Sequence, residues 1–333
     1  MRNTSQVSFQ EIIIASERIA CRVRHTPLVK SQELSDQIGQ TVQLKLEHHQ
    51  TTGSFKLRGA TNAVLSLTSK ERARGVVAAS TGNHGRALAY AAKAEGADAT
   101  ICVSRLVPGN KIEEIRRLGA TVHIVGNSQD DAQREVDRLV KEEGLVAVPP
   151  FDDARVIAGQ GSLGIEILED CPEVATILVP LSGGGLASGM AAAMKAINPA
   201  IRIVGITIER GAAMKASLGA GRPVEVREEE SLADSLGGGI GIENRLTFAM
   251  CRDLLDDVVL LSEREIAAGM RHAYFVEREV IEGAGAVGIA ALLAGKVTSS
   301  GPVIAILSGR NVDMDVHRRV INGTTALARR DSA

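Results

Sequence analysis

The chain has 333 residues, of which 44% are hydrophobic, so it can bury the core of one large domain or of two ordinary ones. Aromatic side chains make up only 2%, so the core must be aliphatic and platforms that stack nucleic-acid bases are not expected. A formal net charge of -2, with lysine and arginine spread along the chain, argues against nucleic-acid binding through a basic patch.

The cysteines and the apolar runs indicate the cellular compartment of the protein. Cys21, Cys102, Cys171 and Cys251 form no CxxC pair, which predicts neither a zinc site nor a disulfide framework and fits a reducing cytoplasm. No stretch approaches the roughly 20 apolar residues that span a bilayer, and no signal peptide is recognisable. We therefore expect a cytoplasmic protein that binds neither membranes nor nucleic acid.

Strands and helices alternate along most of the sequence. The first half predicts helices at 9–22, 86–94, 110–118 and 128–143, and strands at 41–46, 75–79, 98–103, 120–125 and 145–148. After a boundary at Pro149–Pro150, the pattern predicts strands at 174–180, 201–208 and 303–307, and helices at 186–196, 263–279 and 286–294. Alternation at this spacing is typical of βαβ units and a parallel sheet.

Lys56 lies where a predicted loop turns into a helix. Gly53 permits the turn, Ser54 is a natural N-cap, and Leu57 begins the helical pattern. The helix dipole disfavours a cation in the first turn by about 0.3–1 kcal/mol, and burial would add to this effect. Lys56 is therefore either an exposed lysine that tolerates a small penalty or an amine with a lowered pKa, which is a better nucleophile.

Three consecutive glycines at 183–185 separate a predicted strand from a predicted helix. Because glycine has no side chain, the backbone amides at the positive end of the helix are exposed and can bind a phosphate group. Alternatively, the glycines form a tight turn that only allows the helix to pack closely on the strand. With Ser188, the loop also comes close to a dinucleotide fingerprint, and Glu209 ends the next strand. A nicotinamide-dependent oxidoreductase is therefore a rival hypothesis, although it offers Lys56 no role.

Three further polar clusters follow predicted strands or begin helices. The loop at 80–84 offers groups suited to a carboxylate or a ring oxygen, or else simply caps a helix. Ser308 can present one neutral hydroxyl to a ring nitrogen, or marks a polar strand exit. Glu282 enters a glycine-rich helix start, where a carboxylate also suits the dipole. Because sites in open α/β sheets lie at the carboxyl ends of strands, the strand-end loops predict a common site.

Four motifs in this order resemble the threonine dehydratase and serine racemase group of pyridoxal-phosphate enzymes. They are Ser-Phe-Lys at 54–56, the loop at 80–84, the triglycine at 183–185 and Ser-Gly-x-Asn at 308–311. The resemblance implies an α/β fold of type II, in which each of two domains is a mainly parallel twisted sheet flanked by helices. The large, cofactor-binding domain would comprise residues 1–52 and 151–325, and a small domain would be inserted at 53–150. A homodimer with the site in the cleft between the domains is also implied.

The resemblance also implies a role for each matched residue. Lys56 would bind pyridoxal phosphate covalently and later move the Cα proton of an amino-acid substrate, and Thr81 would be a second acid–base group. The remaining cofactor-binding residues would be Phe55, Asn83, Gly183, Gly184, Gly185, Leu186, Glu282 and Ser308. The substrate would be held by Ser80, Thr81, Gly82, Asn83 and His84.

Three departures from the family pattern refine these expectations. Ser182 replaces a first glycine of the phosphate loop, which is a mild change because backbone amides do the binding. Thr81 stands where serine racemases have a serine, which argues against racemisation. Thr207 and Ala213 stand where many relatives have carboxylates for a divalent cation, so no metal ion is expected.

The implied activity is β-elimination from a β-hydroxy amino acid such as threonine, serine or 3-hydroxyaspartate, which yields a 2-keto acid and ammonia. A serine at 308 would leave the cofactor ring nitrogen unprotonated, which resembles the family's preference for elimination over transamination. Thr81 and residues 209–214 are also similar to hydroxyectoine-utilisation dehydratases, so such an enzyme is an alternative. The nicotinamide oxidoreductase and a non-catalytic amino-acid-binding relative are alternatives of other classes.

Overall fold

The computed structural model describes residues 6–80, 82–107 and 109–323. These residues contain ten strands: β1 (Leu28–Ser31), β2 (Val42–Lys45), β3 (Val76–Ala79), β4 (Ala99–Val103), β5 (Thr121–Ile124), β6 (Val146–Ala147), β7 (Thr176–Pro180), β8 (Arg202–Ile208), β9 (Asp257–Leu261) and β10 (Val303–Ile306). They also contain fourteen α-helices: α1 (Phe9–Ile19), α2 (Gln32–Ile38), α3 (Lys56–Leu65), α4 (Ser69–Arg74), α5 (Asn83–Ala94), α6 (Gly109–Arg117), α7 (Gln129–Glu143), α8 (Ala154–Asp170), α9 (Gly185–Ile197), α10 (Ala213–Ala220), α11 (Thr247–Leu254), α12 (Glu263–Phe275), α13 (Gly283–Leu293) and α14 (Met314–Ile321). Among the described residues, no helix combines the length and the apolar character needed to cross a membrane.

Six strands form the larger sheet, in the order β1-β2-β10-β7-β8-β9. All neighbours are parallel except β1, which pairs with β2 in the antiparallel direction. The central strands β7 and β10 are buried along their whole length, as expected where helices cover both faces of a parallel sheet. Their carboxyl ends lead directly into the glycine loop and into Ser308, so the sheet topology places these two loops side by side.

Four parallel strands form the smaller sheet, in the order β5-β4-β3-β6. Helices α5 and α7 pack against it over a core of alanine, valine, leucine and isoleucine. This architecture confirms the predicted α/β fold with two mainly parallel sheets flanked by helices. The strands of the smaller sheet fall within 76–147; the domain boundaries at 53 and 150 remain a prediction.

Helix α3, which begins at Lys56, packs closely on α8 through glycine. A Cβ atom on Gly159 would lie 2.7 Å from the Cα atom of Gly59, and a Cβ atom on Gly59 would lie 2.5 Å from Nε2 of Gln160. Either distance is too short for a side chain, so both positions require glycine for this approach. Helix α8 in turn packs on α9, and α3 also packs on α5, so α3 contacts helices of both sheets.

A buried ion-pair network holds the same helix in place. Arg58, which is 1% exposed, donates to the two carboxylate oxygens of Glu47 over 2.8 and 2.7 Å and lies 2.8 Å from Glu166. Burial opposes ionisation of Glu47, but the Arg58 guanidinium prevails and holds the pKa of that carboxyl below its usual range. Removing one partner from a buried pair typically costs about 3–5 kcal/mol, so this network fixes α3 firmly.

The structure corrects two local predictions. Ser54 is not the N-cap of α3, because Phe55 occupies the cap position without a side-chain hydrogen bond; Ser54 instead forms a β-bridge with Gly309. The helix predicted at 263–279 ends at Phe275, although its apolar pattern continues. Three residues later Arg278 has a left-handed backbone, with φ of 63°, which no helix accommodates.

Candidate active site

A cavity of about 320 Å³ lies between the two sheets, at the carboxyl ends of β3, β7 and β10. Its lining contains residues from every one of the predicted site loops. They are Phe55, Lys56, Ser80, Gly82, Asn83, His84, Gly183, Gly184, Gly185, Leu186, Glu282 and Ser308. The remaining predicted site residue, Thr81, lies outside the described residues. The fold therefore brings the described candidates together, while the role of each one remains a prediction.

Lys56 enters the cavity from the first residue of α3. The loop before it is tied to the larger sheet, because Phe55 donates its backbone N–H to the Ser308 carbonyl over 3.0 Å. The Lys56 ammonium donates to the carbonyl of Pro150 over 2.7 Å. Burial lowers the pKa of Lys56 to about 8, against the opposing effect of the Glu282 charge. The amine therefore loses its proton more readily than an ordinary lysine, which is what a nucleophile or a base requires.

The glycine loop forms a cradle without side chains. Gly184 has a φ of +87°, which favours glycine, and α9 begins at the next residue. A Cβ atom on Gly183 would lie 2.3 Å from the Phe151 ring, and one on Gly184 would lie 2.8 Å from Sγ of Cys251. The first amides of α9 lack intrahelical partners, and the helix dipole makes this end favourable for an anion.

Asn83 and Glu282 form the polar side of the cavity. Asn83 Nδ2 donates to Oε1 of Glu282 over 2.7 Å, and Asn311 Nδ2 donates to Oδ1 of Asn83 over 2.5 Å. Glu282 is 6% exposed, and burial, together with the charge of Asp234, raises its pKa to about 7 against the effect of the Asn83 hydrogen bond. This carboxyl therefore changes protonation state near neutral pH.

Ser308 lies at the exit of β10 and is 3% exposed. Its hydroxyl is 3.5 Å from the carbonyl of Ala284, at the distance limit for a hydrogen bond. The group is uncharged, so it offers a cofactor ring a neutral hydrogen-bonding partner rather than a carboxylate.

The loop from Ser80 to His84 joins β3 to α5. The Ser80 hydroxyl accepts the backbone N–H of Gly85 over 3.2 Å, and Gly82 leaves the start of α5 without a side-chain cap. His84 Nε2 donates to the Val148 carbonyl over 2.7 Å; burial and the charge of Lys56 lower the pKa of His84 to about 3. His84 is therefore a neutral donor that braces the loop, and its contact with substrate stays a prediction.

Several residues to which the sequence assigns no role also line the cavity. Phe151, next to the predicted boundary, packs under the glycine loop. Arg86 and Lys111 bring positive charge: Arg86 Nη1 lies 3.4 Å from Oδ1 of Asn311, and Lys111 Nζ lies 3.6 Å from Oδ2 of Asp234. Arg86 lies three residues after Asn83, so it shares a face of α5 with that residue. This spacing is the sequence signal that could have identified Arg86 as a cavity residue.

These features fit the cofactor that the sequence implies. Pyridoxal phosphate requires an amine to bind, an anion site for its phosphate and polar partners for its ring. In this cavity, Lys56 could supply the amine, the loop at 183–185 the cradle, and Asn83 and Ser308 polar groups. The space that a Cβ atom would take in the cradle is already filled by protein, which explains the glycines.

Comparisons with known proteins agree with this geometry. Residues 20–309 match the family model described as pyridoxal-phosphate dependent enzyme. A Sinorhizobium fredii protein, provisionally named a threonine dehydratase, is 63% identical over 332 residues, covering 99% of this chain and 100% of the relative. The L-threonine ammonia-lyase of Thermotoga maritima is 41% identical over 319 residues, covering 95% of this chain and 78% of the relative. The structure of maize serine racemase has a TM-score of 0.89 at 34% identity and covers 95% of this chain and 97% of that chain.

The fold, the family model and the relatives all indicate the same family, and the matches extend over nearly the whole length of the protein. The chain therefore belongs to the pyridoxal-phosphate dependent enzymes, in the fold type II group that contains the threonine dehydratases and serine racemases.

Proposed function

We propose that the protein is a pyridoxal-phosphate-dependent ammonia-lyase that converts a β-hydroxy amino acid, threonine first, to a 2-keto acid and ammonia. The observation that carries the proposal is the Lys56 amine, with its pKa lowered to about 8, in the same cavity as the glycine cradle. The names of the threonine dehydratase and threonine ammonia-lyase relatives support this choice of substrate.

Within this proposal, Lys56 would carry the cofactor, the amides of 183–186 would bind its phosphate, and Phe55, Asn83 and Ser308 would hold its ring. Glu282 is hydrogen-bonded to Asn83 and would act through it. When bound, pyridoxal phosphate supplies the electron sink that stabilises negative charge at the substrate Cα.

Lys56 is also the proposed base. Its amine takes the Cα proton at Nζ, and a base with a pKa near the working pH contributes about 10²–10⁴-fold to such a step. The proton then held on Nζ is available to the departing β-hydroxyl, which leaves as water. The Pro150 carbonyl, 2.7 Å from Nζ, orients the protonated amine between these events.

The loop at 80–84 is proposed to bind the substrate carboxylate. The N-cap residue Gly82 makes no side-chain hydrogen bond to the first turn of α5, where Ser80 caps only the Gly85 N–H, and a helix N-terminus favours an anion. Thr81 is retained as a second acid–base group on the basis of sequence alone. Because a threonine stands there, we propose elimination rather than racemisation as the main activity.

Three finer proposals follow from the sequence and the family likeness. The similarity at Thr81 and 209–214 supports the hydroxyectoine-utilisation branch as an alternative identity. The family likeness supports a cytoplasmic homodimer, which analytical ultracentrifugation would test. The packing of four strands within 76–147 supports the small domain proposed at 53–150.

A substrate panel tests the proposed activity. Purified holoenzyme is assayed for keto acid and ammonia with threonine, serine, 3-hydroxyaspartate, phenylserine and hydroxyectoine-derived compounds. We expect equimolar products and the highest kcat/KM with threonine. A preference for a hydroxyectoine-derived compound would favour the alternative branch, whereas silence across the panel with cofactor bound would refute elimination.

A further inference from the structure

Two histidines and a glutamate meet at one point away from the active-site cavity. His48 Nε2 lies 2.8 Å from Oε2 of Glu279, and His49 Nε2 lies 3.1 Å from the same oxygen. The imidazole ring centroids are 4.3 Å apart. Neither the elimination chemistry nor the binding of pyridoxal phosphate gives this cluster a role.

The local backbone is bent in a way that brings the three side chains together. His48 and His49 are consecutive residues in a single-turn 3-10 helix that follows β2. Glu279 comes directly after the left-handed Arg278, and its N–H donates to the Ala273 carbonyl over 2.8 Å. A left-handed conformation is unfavourable for an arginine, so the contacts of this turn must offset its cost.

The donor atoms are those of a zinc-class site. Two imidazole nitrogens and one carboxylate oxygen form a common three-residue set for Zn²⁺, whereas Mg²⁺ and Ca²⁺ prefer oxygen ligands. Bonds of about 2.0–2.2 Å to a tetrahedral ion place its ligand atoms roughly 3.3 Å apart, so the two nitrogen–oxygen distances of 2.8 and 3.1 Å would lengthen by about 0.5 and about 0.2 Å. The side chains of His49 and Glu279 are 35% and 22% exposed, which leaves an approach from solvent.

Both imidazoles direct Nε2 at the same oxygen of Glu279, so the three ligand-type atoms converge on one point. A second cluster with similar donors, His25 with Glu166 and Asp170, differs in one respect. There Lys45 Nζ lies 2.7 Å from both carboxylates and already supplies the positive charge.

We propose that His48, His49 and Glu279 bind one divalent transition-metal ion of the zinc class, with water completing the coordination. This site differs from the family cation position at Thr207 and Ala213, where the sequence predicts no metal ion. The ion would tie together segments that lead into the active site. His48 precedes Lys56 on the segment that enters α3, Glu279 closely precedes Glu282, and the His48 N–H donates to the carbonyl of Leu307 over 2.9 Å.

Cobalt spectroscopy of the holoenzyme tests this site. Tag-free holoenzyme is treated with a chelator, dialysed and titrated with Co²⁺, and ligand-field absorption is recorded beside the unchanged cofactor band. We expect one ion per chain, displaced by Zn²⁺ but not by Mg²⁺. Glu279→Gln and His49→Gln should each weaken Co²⁺ binding by at least about tenfold. The partly exposed His49 provides a second variant should Glu279→Gln fold poorly.

The other histidine–carboxylate cluster provides the matched control. His25→Gln removes a histidine beside Glu166 and Asp170 and should leave the Co²⁺ affinity and spectrum unchanged. Absence of a bound ion in wild type would overturn the proposal. So would binding that survives in both His49→Gln and Glu279→Gln, or that is lost equally in His25→Gln.

Discussion

Asn83, the first residue of α5, donates a hydrogen bond over 2.7 Å to Glu282, the residue before α13. Helix α5 packs on the smaller sheet and α13 on the larger one, so the bond bridges the cleft. A protonated or an ionised Glu282 can accept it, and the pKa of about 7 means that both states are populated near neutral pH. One of the contacts that bridges the two sheets therefore involves a carboxyl group that titrates near neutral pH.

Replacing Glu282 by glutamine should change how stability depends on pH. The pKa of Glu282 is raised from 4.5 to about 7 in the folded protein, so below pH 4.5 the carboxyl is protonated in folded and unfolded chains alike. Between these values only the unfolded chain ionises, and stability falls as the pH rises. Glu282→Gln should therefore gain about 3 kcal/mol relative to wild type between pH 4.5 and 8, measured by chemical unfolding of the holoenzyme.

The exposed Glu113→Gln variant serves as the control for this measurement, because its side chain is 70% exposed. Its difference from wild type should stay nearly constant over the same range. A Glu282→Gln difference that is equally flat would show that the carboxyl titrates normally in the folded protein.

Lys56→Ala should abolish the covalent attachment of pyridoxal phosphate and lower kcat by at least about 10²–10⁴-fold, because it removes both the attachment point and the proposed base. Visible absorption before and after borohydride measures the attachment, and keto-acid release measures kcat. Lys70→Ala, which removes an exposed lysine on α4, should match wild type in both readouts. A Lys56→Ala protein that still fixes the cofactor with borohydride would contradict the assignment.

Gly184→Ala should weaken retention of pyridoxal phosphate by about tenfold or more. The added methyl group would lie 2.8 Å from Cys251 Sγ, and alanine is strained at a φ of +87°. Cofactor dissociation constants from absorbance titration provide the measurement. Gly219→Ala in α10 is the matched control, since its Cβ atom would meet nothing within 4 Å. Equal dissociation constants for the two variants would argue that the loop does not hold the phosphate.

Arg58→Met should destabilise the holoenzyme by about 3–5 kcal/mol, because it leaves the carboxylates of Glu47 and Glu166 buried with less compensating charge. Urea unfolding measures the change. Arg138→Met removes an arginine that is 41% exposed, with carboxylate partners on the same helix, and should destabilise the protein far less than Arg58→Met. If the Arg58 variant is as stable as the Arg138 variant, the attraction within the buried ion pairs only offsets the free-energy cost of removing their charges from water.

The sequence predicts the strand-end loops well because their chemistry is local. Three consecutive glycines, or a lysine at a helix start, indicate a function from neighbouring residues alone, and parallel sheets bring such loops together. The fold class was therefore predictable from the alternation of strands and helices. The prediction for Ser54 is wrong because its backbone forms a β-bridge with Gly309, a residue that is distant in the sequence.

The sequence could not reveal features that depend on distant partners. No pattern of neighbouring residues predicts the contact between His48 and Glu279. The sequence around Arg278 is typical of a continuing helix, whereas the structure has a turn there, and this turn brings the Glu279 carboxylate to the histidines. Phe151 likewise follows a predicted boundary, and only the packed structure places its ring against the glycine loop. Contacts of this kind arise from tertiary packing, which single-sequence patterns do not encode.

The glycine contact between α3 and α8 has a consequence for how this enzyme could be re-engineered. Helix α3, which carries Lys56, packs on α5 of the smaller sheet and also on α8, and α8 packs on α9, whose first turn carries the proposed phosphate cradle. The loop at 80–84 follows β3 of the smaller sheet, so α3 contacts the helices that follow both the proposed substrate loop and the proposed cradle. A redesign of that loop for new substrates should therefore preserve the contacts of α3 with α5 and α8, so that the Lys56 amine keeps its distance from the cradle.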